Sequence, residues 1–107
     1  MDAALRAIAD PTRRRILGLV WRDERTAGDI ASRFDISQPA ISQHLKVLLD
    51  AGLITLRRAG TRRYYRANHE AMAAVRQLLE AFWAERLTAL KREAEAEQRR
   101  RKGKTDD

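Results

Sequence analysis

The chain contains no cysteine among its 107 residues and only two histidines. The lack of thiols excludes disulfide bonds, thiolate metal sites and thiol redox sensing. Two distant histidines and no glycine-rich phosphate loop leave no nucleophile and base to pair, so an enzyme is the least favoured class. We therefore expect no metal ion and no cofactor.

Long apolar runs are also missing. No stretch approaches the roughly 20 apolar residues that span a bilayer, and no apolar leader with a cleavage site begins the chain. A cytoplasmic protein without membrane contact is expected. At this length we predict one domain, residues 1–98. A disordered basic tail, residues 99–107, should follow, because it is charged and has no apolar anchors.

Acidic residues are scarce in one part of the chain. Lys and Arg exceed Asp and Glu by 22 to 15, a net charge of +7. Residues 37–66 hold six of those basic groups and a single acid, Asp50. Such an excess favours a polyanionic partner, although chance clustering on a basic protein is the alternative.

That basic region begins with a helix whose two sides differ, SQPAISQHLKVLLDAG over residues 37–52. At 100° per residue, Ile41, Leu45 and Leu48 share one side, which should be buried. The opposite side carries Pro39, Ser42, Gln43 and Lys46. Uncharged hydrogen-bonding groups with a single cation suit base edges and phosphates in the major groove of DNA.

The residues before this helix predict a helix-turn-helix. Thr26 caps a short helix, residues 35–36 form a tight turn, and Ser37 caps the next helix. Earlier in the chain, Asp10 and Pro11 are typical of a helix start. A brief first helix precedes them.

After Gly52 the pattern changes to strands. Residues 53–58 and 62–67 suit a hairpin with a turn at residues 59–61, the wing of a winged helix. Its candidate DNA contacts are Arg57, Arg58, Arg62, Arg63 and Tyr65. Of the two neighbouring tyrosines, one is expected to pack on the domain and the other to face the partner. Alternation turns about half of the arginines toward DNA, and the pattern leaves open which half.

A last helix is predicted from His69 to near Arg100. About 30 helical residues span about 45 Å, which exceeds such a small core. We expect its apolar stripe, with the first helix, to pack against a second copy; covering its own domain is the alternative. The candidate dimer contacts are Leu5, Ile8, Val75, Leu79, Phe82, Trp83, Leu87 and Leu90.

The helix over residues 37–52, called the reading helix below, allows a role to be assigned to each exposed residue from its position. Ser42 and Gln43 are expected to read bases and Lys46 to bind phosphate, the alternative being plain solvation. Ser37 and Gln38 lie at the helix N-terminus, where free N–H groups favour a phosphate oxygen. His44, at the edge of the apolar stripe, is either a DNA-backbone contact or a packing residue.

Three segments together resemble the ArsR-type (ArsR/SmtB) winged helix-turn-helix transcriptional repressors: ALRAIADPTRRRILGLV, SQPAISQHLKVLLDAGLI and RRAGTRRYYRA. The resemblance covers roughly residues 3–90. It implies a mainly α fold with a small β-hairpin, in the order α-α-α-α-β-β-α. It also implies a homodimer, joined through the first and last helices, that represses transcription at a two-fold symmetric operator in double-stranded DNA. The recognition helix would be residues 37–49 and the wing residues 53–67.

Two departures from the family stand out. Metal-sensing members commonly carry a cysteine motif where this chain reads TAGDIA, residues 26–31, and others use Asp and His on a last helix that has neither here between residues 71 and 98. The segment AFWAERLTAL resembles the metal-independent branch, whose members often repress their own operons. The releasing signal stays open: it is a small molecule, a partner protein, an oxygen- or nitrogen-ligated metal, or nothing at all if the protein only limits its own synthesis. The alternative function is an architectural or protein-interaction module with non-specific DNA affinity.

Overall fold

A computed structural model of the chain describes residues 1–105. The chain forms two compact units, residues 1–75 and the residues from 76 onward. The elements are α1 (Asp2–Ala9), α2 (Pro11–Leu19), β1 (Arg25–Thr26), α3 (Ala27–Ala31), α4 (Gln38–Asp50), β2 (Ile54–Ala59), β3 (Arg62–Ala67) and α5 (His69–Thr105). The mainly helical winged helix-turn-helix order is confirmed.

Three helices of the first unit begin at the residues that the sequence predicts. The side chain of Asp10 accepts from the backbone N–H of Arg13 at 3.1 Å. Thr26 accepts from that of Asp29 at 3.1 Å, and Ser37 from that of Ala40 at 3.3 Å. Each cap satisfies an N–H group that has no partner within its helix.

The core of the first unit joins residues from all four helices α1 to α4 and from the wing. Its largest fully buried side chains are Ile16, Val20, Ile30, Ile41, Leu45, Leu48 and Leu53. The predicted apolar side of α4 is therefore confirmed. Burial of that side leaves the opposite one free for a partner.

The wing belongs to a three-stranded antiparallel sheet in the order β1-β3-β2. Gly60 has a φ of 60°, the left-handed conformation that a two-residue hairpin turn favours at this position. The sequence does not predict β1, because two residues are too short to show alternation. β1 pairs with β3 through Arg25 opposite Tyr65 and Thr26 opposite Tyr64, which ties the wing to the start of α3.

The first turns of α5 complete the core of the first unit. The side chain of Asn68 caps the helix at the N–H of Ala71, 3.2 Å away, and donates to the carbonyl of Gly52 at 3.0 Å. Val75 is only 3% exposed and lies among the core residues. The prediction that Val75 contacts a second copy is therefore wrong, because its own domain covers it.

The second unit is the remainder of α5. It departs from the disordered tail predicted from Arg99 onward, since the helix continues through Thr105. Arg100 and Arg101 both pair with Glu97, at 2.9 and 3.5 Å, at helical spacings that favour continuation. Asp106 and Asp107 lie outside the described residues. Among residues 1–105, no helix is long and apolar enough to cross a membrane.

Candidate nucleic-acid interface

The outer side of α4 is polar and open. Every residue predicted for it is exposed, namely Ser37, Gln38, Pro39, Ser42, Gln43 and Lys46. Ser42 and Lys46 lie one helical turn apart, so both point to the same side of the helix. This side can offer hydroxyl, amide and ammonium groups together to a partner.

A groove of about 590 Å³ lies beside that helix. Ser42 lines one side of it, and Arg62 and Arg63 of the wing line another. The start of α3 completes it with Thr26, Ala27 and Gly28. Among the residues that the structure describes, no acidic side chain lines the groove, so a polyanion meets none of their negative charges there.

The sheet separates the wing arginines into two sets. Leu56 lies opposite Tyr65, Arg57 opposite Tyr64, and Arg58 opposite Arg63. Because side chains alternate along a strand, Arg58 and Arg63 share a face with Tyr65, and Arg57 takes the other. Arg62, at the hairpin end, lines the groove as well. The wing arginines that line the groove beside α4 are therefore Arg62 and Arg63.

Tyr65 is largely buried, whereas the sequence predicts it as a DNA contact. It is 7% exposed and belongs to the core, although it also lines the groove. Its burial leaves little of the side chain available at the groove, so packing is its main role. Tyr64 lies on the opposite face and is half-buried.

Arg57 is engaged within the protein. Its Nε donates to a carboxylate oxygen of Glu24 at 2.8 Å, and its guanidinium lies 4.7 Å from the centroid of the Tyr64 ring. The hydrogen bond from Arg57 lowers the pKa of Glu24, and the same bond raises the pKa of Arg57. Arg57 therefore braces the sheet on the face away from α4.

The basic run of α2, Arg13 to Arg15, makes contacts within the protein. Arg14 donates to the carbonyls of Ile8 and Ala9 at 2.8 and 3.0 Å, and Arg15 lies 4.4 Å from the ring centroid of Phe34. Arg13 donates to the end of α1 and contacts His44. Arg13 and Arg14 therefore close the corner between α1 and α2.

The histidines have partners other than a metal. His69 donates through Nε2 to the carbonyl of Trp21 at 2.7 Å and lies against the Trp21 ring, with centroids 4.6 Å apart. Within the described part of the chain, no three His, Asp or Glu side chains are grouped so that they could hold a metal ion.

Two features of this region could not be predicted from the sequence. The start of α3 borders the groove, but its small residues show only a helix cap in the sequence. Glu24 accepts a hydrogen bond from Arg57, 33 positions away in the sequence, and no local pattern predicts a pair so far apart. The groove border at α3 and the Glu24–Arg57 pair both depend on how the sheet joins distant segments.

Comparison with known proteins agrees with this geometry. A family model described as a helix-turn-helix domain matches residues 8–57. The transcriptional repressor SdpR of Bacillus subtilis is 48% identical over 68 residues, which cover 64% of this chain and 76% of that protein.

Solved structures give the same result. An ArsR-like transcriptional regulator from Rhodococcus sp. RHA1 is similar with a TM-score of 0.74 and 33% identity, over 89% of this chain and 90% of that one. A homodimeric winged helix-turn-helix DNA-binding domain from Mycobacterium bovis is similar with a TM-score of 0.63 and 32% identity, over 80% of each chain.

Proposed function

This chain belongs to the ArsR family of winged helix-turn-helix transcriptional regulators, and we propose that it is a homodimeric repressor that reads a two-fold symmetric operator. The observation that carries the proposal is the outer side of α4. Ser42 and Gln43 are exposed there beside a groove lined by Arg62 and Arg63. A reading helix next to cationic side chains combines base contacts with phosphate contacts.

We divide the contacts by their chemistry. Gln43 pairs with adenine through its amide, and Ser42 donates to or accepts from a base edge. Lys46 and the N-terminal pair Ser37 and Gln38 bind phosphate oxygens, and Pro39 packs against the backbone. On the wing, Arg58, Arg62 and Arg63 bind phosphates or the minor groove.

Dimerisation is proposed to cover the apolar side chains of the second unit. Leu79, Phe82, Trp83, Leu87 and Leu90 are between 43% and 60% exposed. Large apolar side chains at this density mark an interaction surface. Leu5 and Ile8 of α1 remain proposed contacts. In a symmetric dimer the two reading helices enter successive major grooves about 34 Å apart.

Selection from a random duplex library tests this function. The full chain is expected to enrich an inverted repeat with half-sites one helical turn apart. It should bind the enriched duplex at least about 10³-fold more tightly than a scrambled duplex at the same salt concentration. Enrichment of a single half-site would contradict the symmetric dimer.

The same experiment separates the alternative function. An architectural module with non-specific affinity would enrich no sequence, and unrelated duplex would compete as well as any other. Repression itself is tested with the enriched repeat placed over a promoter in a reporter strain. Expression that rises when the protein is present would contradict a repressor.

A further inference from the structure

One side chain joins three helices of the first unit. Arg13 of α2 donates through Nε to the carbonyl of Ala7 at 2.7 Å and through Nη2 to that of Arg6 at 3.1 Å. Its Nη1 lies 3.3 Å from Nδ1 of His44 on α4. The last carbonyls of a helix have no partner within it, so Arg13 satisfies α1 and still reaches the reading helix.

The chemistry of the pair determines the state of the histidine. A guanidinium has only donors, so Nδ1 of His44 must be the acceptor. In this contact the lone pair is on Nδ1 and the ring hydrogen is on Nε2. The carboxylate of Asp10 stays at the start of α2, where it accepts from the backbone N–H of Arg13 at 3.1 Å.

The position of His44 on α4 links the DNA-facing side of the helix to the core. It directly follows Gln43, the proposed base-reading residue, and directly precedes Leu45, which is 1% exposed in the core. Its own side chain is partly buried. A contact at this position controls how far the helix can rotate or slide over the core, because the planar fork of Arg13 bonds in a fixed geometry.

We infer that Arg13 and His44 form a positioning pair that sets α4 against the α1–α2 corner, and that His44 assists DNA reading through Arg13 rather than by contacting DNA. This inference rests on the proposed function for its effect on binding. The pair itself rests on geometry within residues 1–75. The other role for His44, a direct contact to the DNA backbone, would use Nε2.

Two amide substitutions distinguish the ring nitrogens. In His44→Asn the side-chain oxygen can take the place of Nδ1, whereas in His44→Gln the amide reaches only the place of Nε2. We expect His44→Asn to bind the selected duplex within about twofold of wild type. His44→Gln should lose about tenfold, the worth of one hydrogen bond to a charged donor. Affinity for scrambled duplex should be unchanged in both variants.

The reverse order, with His44→Gln binding well and His44→Asn poorly, would show a direct contact through Nε2 and overturn the inference. Equal losses in both variants would overturn it as well. In an Arg13→Gln background, His44→Gln should cost nothing more, since the partner is already absent. A further loss in that background contradicts a role through Arg13.

A measurement without DNA keeps this inference separate from the proposed function. Nitrogen-15 NMR of the neutral His44 ring should show the hydrogen on Nε2, and amide hydrogen exchange in α4 should be faster in His44→Gln than in His44→Asn. A hydrogen on Nδ1, or equal exchange in the two variants, overturns the pair even if an operator is found. Failure to enrich any duplex, with these NMR results as expected, overturns the proposed function alone.

Discussion

Glu24 accepts a hydrogen bond of 2.8 Å from Nε of Arg57, although the two residues are 33 positions apart. Glu24 directly precedes β1, Arg57 belongs to β2, and the ring of Tyr64 on β3 lies beneath the guanidinium. Since β3 is the middle strand, this one arginine crosses the sheet and holds the wing to the body of the domain.

Glu24→Gln should destabilise the protein at neutral pH but not in acid. Arg57 lowers the pKa of Glu24 from its ordinary value of 4.5, so the ion pair stabilises the fold above that value. The contribution is lost as the pH falls through the lowered pKa. Thermal melting midpoints of wild type and Glu24→Gln, followed from about pH 7 to pH 3, should therefore differ at first and converge in acid.

Asp23→Asn is the matched control for this titration. Asp23 is exposed and adjacent to Glu24, and the substitution removes the same charge without touching Arg57. It should leave the melting midpoint nearly unchanged. A difference between wild type and Glu24→Gln that stays constant down to pH 3 would argue against the ion pair.

Gln43→Ala should lower discrimination between operator and scrambled DNA. A bidentate amide contact to a base is worth about 1 to 3 kcal/mol against the wrong base. Affinity for scrambled DNA should not change, because that binding depends on phosphates. Titrations of both duplexes at fixed salt measure the two affinities, and an equal loss on both would remove Gln43 from base reading.

Arg63→Ala should weaken binding to every duplex and flatten its dependence on salt. Arg63 lines the groove beside Ser42. Each lost phosphate contact should reduce the slope of log affinity against log salt by about 0.9. Arg66→Ala is the control, since Arg66 is on the same strand but its register opposite Thr55 puts it on the other face. Equal slopes for the two variants would contradict this assignment of faces.

Leu87→Glu should dissociate the dimer without unfolding the protomer. Leu87 is 60% exposed, so a charge there costs nothing until a second copy covers it. Val75→Ala should do the opposite, costing about 2 kcal/mol of stability through a core cavity while the dimer persists. Sedimentation velocity and thermal melting measure the two effects. A dimeric Leu87→Glu protein would place the interface elsewhere.

Gly52→Ala and Gly18→Ala should change stability in opposite directions. Gly52 has a φ of 76° after the end of α4, where its N–H bonds to the carbonyl of Leu49 at 2.9 Å. A side chain in that conformation costs about 1 kcal/mol. Gly18 is within α2, and a Cβ there meets nothing within 4 Å, so alanine should gain about 0.5 to 1 kcal/mol. Urea unfolding measures both, and a stabilised Gly52→Ala protein would contradict the helix-end geometry.

Local patterns were sufficient for most of the elements and for the reading side of α4. Asp10, Thr26 and Ser37 start their helices through bonds to residues three positions ahead. Ile41, Leu45 and Leu48 recur at the helical period, so their burial follows from spacing. Interactions between residues a few positions apart can be predicted, because both partners belong to the same local sequence pattern.

Contacts between distant segments decided the rest. The pairing of β3 with β1 turned Tyr65 into the core and left Tyr64 outside. Glu24 pairs with Arg57 across 33 positions, and Arg13 contacts His44 across 31 positions. The alternation within a strand defines two faces but not which face is covered, because burial depends on the elements that pack against it. The exposed residues of the reading helix can therefore be predicted from the sequence, whereas which wing arginines lie beside that helix depends on the tertiary structure.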